Sequence, residues 1–144
     1  MTVEELTGRL TAALEGRPEV RLAFLFGSAA TRGPDAARDV DVAVAFAHPL
    51  SLLQQCTLSA QLEQMVGREV DLVDLDSAST LLRWEVVGTG IVLAAKDSHD
   101  LVDFRARVPL EYFDLQPFLE READGLRRAL EKSRWSASTT ARFF

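Results

Sequence analysis

One cysteine in 144 residues, Cys56, rules out an internal disulfide and fits a reducing compartment. No apolar run approaches the roughly 20 residues that a membrane-spanning helix needs. The first ten residues carry two glutamates and lack the basic start of a signal peptide. Together these absences predict a cytoplasmic protein. Positive charge is scarce as well: 16 lysines and arginines face 22 acidic residues, a net charge of −6. That balance argues against sequence-blind binding to a nucleic-acid backbone. The deficit is uneven. Residues 121–144 carry six basic and three acidic side chains, whereas residues 1–120 carry ten and nineteen. Such a segment is either a solvated helical surface or a face for a partner. No internal repeat and no second domain are visible.

What is present is an alternation of strand and helix signals. Thr2 and Glu5 have the spacing of a capping box, and Val3, Leu6, Leu10, Ala13 and Leu14 follow a helical period that Gly16 and Pro18 end. Val20 to Phe26 reads as a buried strand, and Gly33-Pro34-Asp35 as a loop. Val40, Val42 and Val44 alternate with Asp39, Asp41, Ala43 and Ala45, the pattern of a second strand. A helix over about 52–66 closes at Gly67. A third strand over 69–75 follows, then a helix over about 80–87 and a short strand over 91–95. Residues 98–132 have a helical pattern that Pro109 and Pro117 must start, break or kink, which predicts two helical pieces before and after Pro109. Residues 135–144 have little periodicity. The expectation is one α/β domain with a mixed sheet of about four strands and flanking helices: a core over 1–97, a helical segment over 98–134 and a tail over 135–144.

The chemistry concentrates between Leu22 and Phe46. A buried strand ends in Gly27-Ser28, and ten residues later come Asp39 and Asp41. Two carboxylates at i and i+2 on a strand share a face, where they repel unless a cation lies between them. Glycine lets the backbone approach a phosphate closely, and a helix start directs N–H groups at it. Mg²⁺ takes one or two protein carboxylates together with phosphate oxygens, so the pattern points to metal-assisted phosphoryl or nucleotidyl transfer. A two-metal site needs a third carboxylate. Asp71 and Asp74 in the third strand are candidates, three apart and therefore on opposite faces; alternation alone does not choose between them.

Gly27-Ser28, ten residues, then Asp39-Val40-Asp41 resembles the GSx10DxD signature of the polymerase-β-type nucleotidyltransferase superfamily. The small size resembles its minimal, MNT-type members, and the stretches EVDLVDL, TGIVLAAKD and YFDLQP are similar to that group over most of residues 20–120. The resemblance implies that Gly27 and Ser28 hold the phosphates of ATP. It implies that Asp39, Asp41 and Asp71 bind two Mg²⁺ ions, with Mn²⁺ as a substitute. It also implies a HEPN-domain toxin as partner, with AMP moved onto one of its hydroxyls, on a tyrosine. Arg38 departs from the serine many relatives carry there, and the glycine placement in the loop 29–37 differs from the commonest version.

Other functional readings are adenylylation of a small molecule such as an antibiotic, for which 144 residues leave little room, and neutralisation of a toxin by contact alone. The remaining polar and aromatic residues read as structural. His48 and His99 are surface or capping residues, and Cys56 falls in an apolar helical pattern and reads as packing. Trp84, Phe104, Tyr112 and Phe113 read as core or interface, and Arg32 as a loop arginine within reach of phosphate. The net-positive C-terminal segment, with Tyr112, Phe113, Trp135, Phe143 and Phe144, reads as a docking surface.

Overall fold

The computed structural model describes the backbone of residues 1–142 and the side chains of residues 1–133. Helix α1 (Val3–Glu15) starts where the Thr2 hydroxyl accepts the Glu5 N–H at 3.1 Å. Leu6, Leu10 and Leu14, four apart, are its fully buried residues. Strand β1 (Val20–Phe26) runs into a short helix, α2 (Gly27–Thr31), and a 3₁₀ turn over Pro34–Ala36. Strand β2 (Val40–Phe46) leads to α3 (Leu52–Val66), which has a full capping box: Ser51 and Gln54 satisfy each other's backbone N–H. Gly67 ends α3 at φ +71°, as its position past the last apolar residue predicts. Strand β3 (Val70–Asp74), helix α4 (Thr80–Thr89) and strand β4 (Ile91–Ala95) follow.

The four strands form one mixed sheet in the order β3-β2-β1-β4. Strand β1 is antiparallel to both β2 and β4, and β2 is parallel to β3, with α3 as the crossover. Strands β1 and β2 are central and almost wholly buried, which is why they read as near-continuous apolar runs. Alternation sends their side chains into two apolar layers. Val20, Ala23, Leu25, Val40, Val42 and Val44 pack with the leucines of α1 and with Leu58 and Leu62 of α3. Leu22, Phe24, Phe26, Ala43 and Ala45 pack with Val86 of α4 and with Phe104 and Val108. Burying each such large apolar side chain contributes about 1.5–3 kcal/mol. The Phe24 and Phe104 rings lie 5.3 Å apart, tilted by 35°.

Three expectations need correction. Helix α4 runs through Gly88 to Thr89, because the C-terminal cap falls at Gly90, whose N–H bonds the Val86 carbonyl. The backbone is one helix, α5, from Ser98 to Arg142, with Pro109 and Pro117 inside it and no break at either. Each proline removes one helical N–H, and the surrounding turns supply enough bonds to carry the helix on. Residues 135–142 are therefore helical, whereas the proposed docking role of Trp135, Phe143 and Phe144 lies outside the described side chains. Cys56 is exposed, not packed. The chain divides into two compact units, Met1–Pro109 and Leu110–Phe144. Among the described residues, no helix is long and apolar enough to cross a membrane.

Candidate active site

At the end of β1, Phe26 faces Asp41 across the antiparallel ladder, and the chain then turns at Gly27 with φ +71°. Only glycine enters that region without steric penalty. The site adds a second reason for glycine: a Cβ at position 27 would collide with Oδ2 of Asp41. Backbone and carboxylate are thus in direct contact where β1 hands over to α2. Thr31 donates its hydroxyl to the Gly27 carbonyl at 3.1 Å and fixes the turn.

The parallel ladder settles which acid of β3 accompanies Asp41. Asp41 pairs with Asp71, and Val44 with Asp74. Partners in register share a face, so Asp71 lies beside Asp41; Asp39 lies in the bend just before β2 rather than in the strand, yet near enough to act on the Asp41 carboxyl. Asp74 lies on the opposite face. Its Oδ1 accepts the Asp76 N–H at 3.0 Å and holds the turn that leaves β3. It does not cap α4; Ser79 does, accepting from the Leu82 N–H at 3.2 Å.

The acids sense one another. The Asp41 carboxyl is raised above its ordinary range, first by burial and then by the negative charges of Asp71, Asp39 and Glu85. Oδ1 of Asp39 is buried without a hydrogen-bond partner. A buried orphan oxygen beside mutually repelling carboxylates is what a cation would relieve, so the donor set suits a hard divalent ion. Among the described residues, no three His, Cys, Asp or Glu side chains are already drawn into a metal-holding cluster.

A cavity of about 340 Å³ opens at this point, lined by Gly27, Ser28, Thr31, Arg32, Asp41, Glu85 and Thr89. Ser28 and Arg32 are exposed at it, and Arg32 is the cation among its lining residues. Glu85 and Thr89 escaped the sequence reading. Their signal is slight: a glutamate interrupting the apolar run LLRWEVV, with a threonine one turn later on the same helical face. Arg38 is exposed. His48 lines a different cavity, of about 410 Å³, together with Arg17 and Gln54. His99 is exposed at the start of α5, where its N–H bonds Asp97.

A mixed four-stranded sheet that presents a glycine–serine turn against paired aspartates is the framework of a nucleotidyltransferase domain. The family described as Polymerase beta, Nucleotidyltransferase matches residues 9–99, and the chain belongs to that family. It is 38% identical over 73 residues, 51% of this chain, to the protein adenylyltransferase MntA of Shewanella oneidensis. That stretch spans 52% of the relative, about half its length. Among solved structures, it is similar to a toxin–antitoxin complex with AMP-PNP, with a TM-score of 0.71 and 29% identity over 84% of this chain and 98% of that one. It is equally similar to the MNT antitoxin in complex with tri-AMPylated HEPN toxin from Shewanella oneidensis: TM-score 0.71, 28% identity, 87% of this chain and 98% of that one.

Proposed function

We propose that this chain is an antitoxin of the MNT type, a protein adenylyltransferase that moves AMP from ATP onto a tyrosine hydroxyl of a cytoplasmic HEPN-domain toxin. The observation that carries the reading is the in-register pair Asp41 and Asp71, with the Gly27 backbone against the Asp41 carboxylate. The similarity to a complex holding AMP-PNP supports ATP as the nucleotide. The similarity to a complex with a tri-AMPylated HEPN toxin supports such a toxin as partner and as the protein that receives AMP.

In this reading Asp39, Asp41 and Asp71 hold two Mg²⁺ ions, which Mn²⁺ can replace. Bound there, the ions neutralise charge on the attacking and leaving oxygens. Gly27 leaves its backbone open to the phosphates, and Ser28 donates its hydroxyl to them. Arg32 offsets the charge of the outer phosphates at the cavity mouth. Asp71, the exposed member of the three aspartates, faces the acceptor and takes the hydroxyl proton. The acceptor oxygen bonds to the α-phosphorus as the bond to the bridging oxygen breaks, and pyrophosphate leaves in line. No histidine takes part.

The test is transfer of labelled AMP from ATP to the co-expressed toxin, with and without chelator. Label should appear only with Mg²⁺ or Mn²⁺ and vanish in Asp39→Asn with Asp41→Asn. Toxin that is neutralised while carrying no label would mean that contact alone does the work.

A further inference from the structure

Glu85 is a carboxylate to which the proposed chemistry gives no task. It projects from α4 into the wall of the cavity that Gly27, Ser28 and Asp41 also line. Among the described residues its carboxylate has no ion pair or hydrogen-bond donor; only its backbone carbonyl is engaged, by the Thr89 hydroxyl at 2.9 Å. It is close enough to Asp41 to raise that carboxyl. An unpaired acid in the wall of a phosphate seat is a liability by itself. A triphosphate entering this cavity meets Asp41 and Glu85, with Arg32 as the one opposing charge on the lining. Negative groups on both sides of a phosphate are tolerable when a cation and its waters lie between them.

We propose that Glu85 is an outer carboxylate for the nucleotide-side cation: it accepts hydrogen bonds from that ion's bound waters and so positions the ion between Asp41 and the phosphates. The inference rests on the nucleotidyl-transfer reading above and adds a residue from a different element. Mg²⁺ keeps several waters when it binds, and carboxylates that accept from such waters hold ion and ligands in place. Glu85 is a positioning residue in this account, since it reaches the reacting atoms only through water. Helix α4 thereby becomes part of the site: it packs against the sheet through Val86 and turns the Glu85–Thr89 face to the cavity.

The role predicts two effects of opposite sign. Mn²⁺ binding to the full chain with AMP-PNP is followed by the loss of the free-ion spectroscopic signal. In Glu85→Gln its affinity should fall about tenfold to a hundredfold, the range for removal of an outer-shell partner. AMP-PNP binding in chelator, measured by calorimetry, should instead become tighter in Glu85→Gln, because a negative charge has left the cavity wall. Glu85 is exposed, and a melting curve establishes that the variant is folded. Asp41→Asn serves as the reference. If it loses Mn²⁺ while Glu85→Gln binds as the parent does, the role of Glu85 is overturned and the aspartate site stands. If neither variant loses Mn²⁺, the aspartate site is overturned with it.

Discussion

At the scale of single residues, the two acids of β3 separate the proposed chemistry from structure. Asp71→Asn keeps the side chain's shape and removes a charge from among the aspartates. AMP transfer should fall close to background while the melting temperature holds or rises, as repulsion is relieved. Asp74→Ala loses the bond to the Asp76 N–H, which should lower stability by about 0.5–1.5 kcal/mol and leave transfer within a few-fold. Labelled-AMP transfer and a melting curve for each variant decide it; an active Asp71→Asn beside a folded but inactive Asp74→Ala would reverse the assignment. Asp41 adds a pH dependence. Its carboxyl is raised by burial, then by Asp71, Asp39 and Glu85. A carboxyl raised on folding binds more proton in the folded state between its ordinary value and the raised one. The folded state therefore loses stability as pH climbs through that window, and the full loss persists above it. In chelator, Asp41→Asn should melt above the parent at neutral pH, and the gap should close as pH drops below the ordinary aspartate range. A gap that widens in acid contradicts the argument.

At the scale of elements, most of the fold was legible because local signals and burial agreed. Ser51, Gln54 and Gly67 delimit α3 by capping chemistry that the sequence spells out, and the valines of β2 alternate on a strict period of two. Partner choice was less legible. Alternation shows that Asp71 and Asp74 face opposite ways, but only the β2–β3 register shows which one meets Asp41. Glu85 was barely legible, since its place on the cavity wall depends on how α4 lies over the sheet. Proline misled at α5: a missing N–H signals a break, yet the helix runs through Pro109 and Pro117. The turn between β1 and α2 provides a matched comparison. Gly27 and Gly67 share φ +71°, but a Cβ at Gly67 meets nothing within 4 Å, whereas one at Gly27 meets the Asp41 carboxylate. Gly67→Ala should cost only the left-handed penalty of about 1–2 kcal/mol. Gly27→Ala should cost more and also weaken nucleotide binding. Equal losses of stability in urea titrations of the two variants would remove the close-approach argument.

At the scale of the whole molecule, both compact units expose large apolar side chains, Leu52 and Leu53 at 77% on the first, and those of the second include aromatics. Leu110, Phe113, Phe118, Leu126 and Leu130 are each more than half exposed, and Arg121 lies over the Phe118 ring at 5.3 Å. Aromatics and arginine dominate the centres of protein interfaces. If this unit meets the proposed toxin, Phe118→Ser combined with Leu126→Ser should weaken the purified complex by at least about tenfold, or ~1.4 kcal/mol. Affinity for ATP should be unchanged; titration calorimetry reads both, and full retention of the complex would exclude these residues from the interface. Because β2 and β3 run parallel in fixed register, a gained or lost codon has unequal weight along the gene. Beside the exposed Gly67, before Arg68 and Glu69 are tied to the Pro34 turn and to Val40, an extra residue can bulge into solvent and leave the Asp41–Asp71 pairing alone. Between Val70 and Asp71, the same single codon puts the inserted residue opposite Asp41 and turns Asp71 toward the opposite apolar layer. Lineages of this chain should therefore vary in length around α3 while keeping an unchanged count from the start of β3 to its first aspartate.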